Sequence, residues 1–120
     1  MVTLELAHPS TAFARDPELR FDGRRLTVGF EFAVGGSVVR QQLVFDPARA
    51  FRFVAEPYCE AWHYEVSYDR VAEVEQSAWL GEVEGQATPA SPAGRHLVVT
   101  VDSWGCLEVL AAGVDLVSID

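Results

Sequence analysis

LRFDGRRLTVGFEFAVGGSVVRQQLVF, residues 19–45, decides the fold. It holds two glycine-containing pairs, Asp22-Gly23 and Gly35-Gly36, of the kind that supplies the positive φ of two-residue hairpin turns, and apolar residues alternate on either side of them. Three strands in a meander follow. With Gly35-Gly36 as the loop, Val34 faces Ser37, and Phe32, Val28 and Leu26 pair with Val39, Leu43 and Phe45 on the core face. The other face then sets Glu31 opposite Arg40 and Thr27 opposite Val44, the first a cross-strand ion pair worth about 0.2–1 kcal/mol.

Working outward, VTLELA at 2–7 alternates with the period of a strand, and PSTAFARDP at 9–17 reads as a loop. DPAR at 46–49 reads as a turn. AFRFVA at 50–55 places Phe51 and Phe53 on one face and Arg52 and Val54 on the other, and Pro57 interrupts pairing. Val71, Val74 and Ala78 fit a helical stripe, while RVAEVE equally extends a strand. The reading taken is a strand to about Glu75, then one short helix around residues 77–84, with Ser77 as N-cap and Trp79, Leu80 and Val83 docking it. ATPASPAG at 87–94 is a loop. HLVVTVDSWGCLEVLA at 96–111 forms a last hairpin about Ser103-Trp104-Gly105, with Asp102 facing Cys106 and with Leu97, Val99, Val101, Leu107, Val109 and Ala111 on one face. His96, Val98, Thr100, Glu108 and Leu110 share the other. VDLVSID at 114–120 reads as an edge strand or ordered tail. The fold class expected is mainly antiparallel β (α+β), a hairpin-rich single sheet or sandwich in one domain spanning residues 1–120.

Composition narrows function by exclusion. The chain of 120 residues is long enough to bury one core without disulfides, and its net charge is -9. Residues 1–58 hold seven Arg and seven acids, while residues 59–120 hold two Arg against eleven acids, so the excess charge belongs to the second half. That half disfavours nucleic acid and suits a basic partner. Lysine and asparagine are absent and isoleucine occurs once, a codon bias that points to a bacterial source. Without lysine no Schiff base or phosphate-loop lysine can form. No phosphate loop, H-E-x-x-H or G-x-S-x-G motif is present. With no secretory signal and no apolar run near the ~18 residues of a membrane span, a cytoplasmic location is expected.

YCEAWHYEVSY, residues 58–68, is the one dense cluster of reactive groups. Tyr58, Glu60, Trp62, Tyr64, Val66 and Tyr68 fall on one parity, which reads as a strand. On a strand Cys59 and His63 stand about 13 Å apart and cannot share a metal, although on a helix they would share one face. No metal or cofactor is expected. His63 and Glu65, about 7 Å apart on a strand face, are the weak catalytic candidates. Both cysteines, Cys59 and Cys106, read as free structural thiols.

The function expected is a non-catalytic protein-binding domain, with an immunity-type inhibitor of a basic toxin domain as one concrete version. Trp62, Tyr64 and an exposed Trp104 rimmed by Asp102 and Glu108 would supply the binding surface. The alternative is a small-ligand-binding or hydrolytic enzyme with a pocket around Tyr58, Trp62, His63 and Glu65. A homodimer joined through sheet edges is compatible with either.

Overall fold

The computed structural model describes residues 2–86 and 94–119, so the loop expected over 87–94 lies, apart from Gly94, outside the described residues, as does Asp120. Among the described residues nine strands form two antiparallel sheets: β1 (Val2–Glu5), β2 (Phe13–Phe21), β3 (Leu26–Val34), β4 (Ser37–Phe45), β5 (Ala48–Ala55), β6 (Arg70–Glu73), β7 (Arg95–Val101), β8 (Gly105–Ala111) and β9 (Val114–Ile119). One sheet has the order β1-β6-β7-β8-β5 and the other β2-β3-β4-β9. The described residues also form two α-helices, α1 (Ala61–Ser67) and α2 (Ala78–Gln86), one more than the sequence suggests.

The β3–β4 hairpin has the expected register throughout, from Val34 opposite Ser37 to Leu26 opposite Phe45. Leu26, Val28, Phe30, Phe32, Leu43 and Phe45 are buried on its inner face. Arg40 Nε lies 3.9 Å from Glu31 Oε2 across the outer face, alongside Arg15 from β2 at 3.4 Å. The opposing sheet contributes Val71, Leu97, Val99, Val101, Leu107 and Val109 to the same apolar cluster. Alternation with period two thus builds one core from two facing sheets.

Four local expectations are corrected. PSTAFARDP is not a loop: after a 3-10 turn at Ser10–Ala12 it enters β2, an edge strand with two register shifts against β3. An edge position tolerates Pro17 and the run of charges that hid the strand. The Asp22-Gly23 turn is longer than two residues, since Phe21 pairs with Leu26 and Asp22 Oδ1 accepts the amides of Arg24 and Arg25 at 2.9 and 2.7 Å. In the last hairpin Thr100, not Asp102, faces Cys106, and Val101 faces Gly105, a shift of two residues that leaves each face with the expected side chains. Finally, residues 58–68 are not a strand but a 3-10 turn (Glu56–Tyr58) leading into α1.

The two sheets are joined by a shared ribbon. β4 runs into β5 through Asp46-Pro47, β8 runs into β9 through Ala112-Gly113, and β4 pairs with β9 as β5 pairs with β8. At the bend, Asp46 N–H donates to Gly113 O at 3.3 Å and Ala112 N–H to Pro47 O at 3.1 Å. The Asp46 carboxylate takes Arg24 Nε at 3.1 Å and Arg25 Nη2 at 3.2 Å, and Ala48 N–H donates to Arg24 O at 2.7 Å. These bonds tie the β2–β3 turn to the corner. At the far end of the ribbon Gly105, with φ 149°, lies between Val101 and Ala55, and a Cβ there would run into Val54 O and the Phe53 ring. Gly105→Ala is therefore expected to lower stability by about 2–4 kcal/mol, measured as a fall in the urea midpoint at unchanged m-value.

Candidate functional site

The outer face of the five-stranded sheet carries His96, Val98 and Thr100 on β7, and Cys106, Glu108 and Leu110 on β8, all buried. A sheet face that holds an acid, an imidazole, a thiol and a hydroxyl needs a cover that answers them with polar groups. α1 and α2 provide it. On α1, His63 and Ser67 lie one helical turn apart and form the buried stripe, so the helix presents a polar edge to the sheet, with Trp62 and Tyr64 half-buried and Glu65 and Val66 exposed. Ser67 Oγ donates to His63 O at 2.6 Å and lies 2.9 Å from Thr100 Oγ1, itself 3.2 Å from the same carbonyl.

Glu108 is the hub. Its side chain is 4% exposed and receives Arg52 through Nε on Oε2 and Nη2 on Oε1, both at 3.1 Å. His96 Nε2 lies 2.7 Å from Oε1, and His63 Nε2 lies 3.6 Å from Oε2. Beyond His96, Nδ1 meets Ser77 Oγ at 2.6 Å, and that oxygen accepts Leu80 N–H at 3.0 Å, which is the expected N-cap of α2. Every hydrogen is satisfied if the Ser77 hydroxyl donates to Nδ1 and Nε2–H donates to Glu108. Trp79 stands edge-on to His96, with ring centroids 5.2 Å apart, and carries the Arg52 guanidinium 4.1 Å over its ring. Burial alone would raise the Glu108 carboxyl, but the His96 and Arg52 hydrogen bonds and the Arg52 charge outweigh it and bring the value down to about 2.

A second cluster adjoins this hub. One ligand-type atom each of Cys59, His63 and Cys106 lie within 4.8 Å of one another. Cys59 Sγ donates toward Val54 O at 3.5 Å and Ala55 O at 3.6 Å and adjoins the Cys106 thiol. His63 Nδ1 accepts Glu60 N–H at 2.9 Å, and its Nε2 has no hydrogen-bond partner among the described residues. Burial and the neighbouring Cys59 push the Cys106 thiol up to about 12.

The helix at 61–67 changes what the sequence candidates can do. Cys59 and His63, read as separated, are together. His63 and Glu65, read as a pair, are not: His63 is buried and Glu65 exposed, and the carboxylate that faces His63 comes from Glu108. Tyr58 is 79% exposed. Trp62 stacks against His63 with ring centroids 4.0 Å apart and donates from Nε1 to Glu60 at 2.8 Å. Tyr64 is half-buried, its hydroxyl held above its usual range by burial and the nearby Cys59 and Glu56. Trp104 is half-buried against Phe53 at 4.5 Å, while Glu108 lies buried under the helices and so does not rim it. Asp102 N–H is tied to Ser10 Oγ at 2.8 Å, and Ser103 N–H to the Glu56 carboxylate. Ser77 and Trp79 are legible in the sequence only as the N-cap and docking residue of a helix, and His96 only as a group that a neighbouring strand could bring to His63; Arg52 is signalled by nothing beyond the alternation that puts it on the outer face of β5.

No family model, curated protein or solved structure matches this chain.

Because the folded pKa of Glu108 lies below its ordinary 4.5, its contribution is complete above that pH and is lost as pH falls toward 2. Acid unfolding is expected within that window, with a flatter stability profile there for Glu108→Gln. Glu108→Ala, which strands His96 and one guanidinium face, should cost about 3–5 kcal/mol in denaturant titrations at neutral pH.

Proposed function

We propose that the protein is a non-catalytic binding domain whose acidic helical layer engages a basic protein partner, with an inhibitor of a cationic toxin domain as the concrete version. One observation carries the reading: Glu60, Glu65, Glu75, Glu82 and Glu84 are exposed on or beside the two helices, and each arginine of that side is engaged within the fold. Arg52 is held by Glu108, Arg70 by the Glu65 and Val66 carbonyls, and Arg95 by Glu73. The charge asymmetry of the sequence thereby becomes a charged face. Such a face accelerates encounter with a cationic surface and discriminates against anionic ones.

Affinity capture from lysate of the source organism, with Glu65, Glu75, Glu82 and Glu84 all replaced by Gln as the matched control, tests this. A basic protein should be retained by the wild type, released as ionic strength rises past the range where the Debye length is about 10 Å, and lost with the quadruple variant. Capture indifferent to both salt and the four substitutions overturns the reading.

The hydrolytic alternative draws its support from other residues than the sequence suggested, namely the Ser77-His96-Glu108 chain, which joins a hydroxyl, an imidazole and a carboxylate by contacts of 2.6 and 2.7 Å. Against it, Ser77 Oγ already caps α2 and His96 is buried beneath Trp79. As an anchor, Ser77→Ala costs about 1 kcal/mol of stability. Covalent labelling of Ser77 by a fluorophosphonate, abolished in Ser77→Ala and His96→Gln, would instead establish the enzyme.

A further inference from the structure

We infer that Cys59, His63 and Cys106, with the Glu108 carboxylate beside His63, form a structural site for a thiophilic divalent cation, zinc by its chemistry. The site is distinct from the acidic face and independent of what that face binds.

Three arguments support it. The first is the donor set: two sulfurs and an imidazole nitrogen within 4.8 Å of one another are ligands that zinc selects over magnesium or calcium. Metal–ligand bonds of about 2.0–2.3 Å in a tetrahedron place donor atoms about 3.3–3.8 Å apart, so modest side-chain closure would complete the shell. The second is an unanswered atom. His63 is 3% exposed and its Nε2 has no hydrogen-bond partner among the described residues, yet it faces Glu108 Oε2 at 3.6 Å, inside the tetrahedral range. That oxygen accepts one bond, from Arg52 Nε, and keeps a lone pair; Oε1 is the atom that takes both Arg52 Nη2 and His96. The third is charge. Two thiolates neutralise the ion and Arg52 neutralises Glu108, so the loaded site is electrically balanced.

The ligands come from the segment between the 3-10 turn and α1, from α1 itself, and from β8, so the ion would staple the helical cover to the sheet. Cys59, His63 and Cys106 supply three positions, and Glu108 Oε2, 3.6 Å from His63 Nε2, would supply the fourth, as in structural rather than catalytic zinc sites. Loading moves the imidazole proton from Nε2 to Nδ1, which breaks the Glu60 N–H bond to Nδ1, and it releases the two thiol protons.

The test is titration of the reduced, chelator-stripped full chain with Co2+, followed by displacement with Zn2+. Expected are one Co2+ per chain, a near-ultraviolet thiolate-to-cobalt charge-transfer band with the intense visible bands of tetrahedral cobalt, about two protons released per ion, and a Zn2+-induced rise in Tm. Cys59→Ser, at a half-buried position, and Cys106→Ser should each weaken the charge-transfer band and abolish the Tm rise, with far-UV circular dichroism verifying the fold. Weak octahedral cobalt bands alone in the wild type, or a wild-type spectrum and Tm rise retained in Cys59→Ser, overturns the site.

Discussion

A carboxylate on the outer face of a central strand organises one whole side of this molecule. Glu108 sits on β8, flanked by β7 and β5, where a solvated acid would be ordinary and a buried one requires compensation. The compensation arrives from two directions, Arg52 across from the paired residue of β5 and His96 from the diagonal of β7, while His63 of the helical layer stands 3.6 Å from the carboxylate. Each partner then constrains something further: Arg52 holds Trp79, His96 holds Ser77 and with it the first turn of α2, and His63 holds the backbone of Glu60 at the start of α1. The helices are therefore positioned by hydrogen bonds and charge more than by an apolar stripe.

That inversion explains what the sequence disclosed and what it hid. Residues 26–45 were legible because the turn pair, the alternation and the charge pairing all support one register, with Glu31 opposite Arg40 as an independent check. The last hairpin was legible in its faces but not in its exact pairing, because Gly105 has the chemistry of a turn residue and yet occupies a ladder position where backbone approaches too closely for any side chain. β2 was hidden because an edge strand can be charged and bulged.

Residues 58–68 were misread for a more general reason. Periodicity identifies a helix by where its apolar residues fall, and in α1 the buried positions are His63 and Ser67, so the signal was present with the opposite polarity. The aromatic residues on the alternate parity imitated a strand. Once a strand was assumed, Cys59 and His63 were placed apart, and the candidate pair became His63 with Glu65. Recognising that Cys59, His63 and Ser67 recur every four residues would have suggested a polar-faced helix. Its partner, a sheet face bearing Glu108 and Thr100, was already implied by the hairpin reading.

The ribbon that passes from one sheet to the other also bears on how the molecule comes apart. Sandwiches whose sheets meet only through side chains can in principle loosen by parting at the core, with each sheet's backbone ladder left intact. Here one continuous ribbon, the β4–β9 pair running into the β5–β8 pair, carries ladder in both sheets, so opening the gap between them pulls on the backbone bonds at Asp46, Ala112 and Gly113. Parting the layers and breaking the ladder become one event. A shared backbone of this kind couples the two sheets in unfolding and works against a loosened state that would expose the phenylalanine-rich interior of the β3–β4 hairpin.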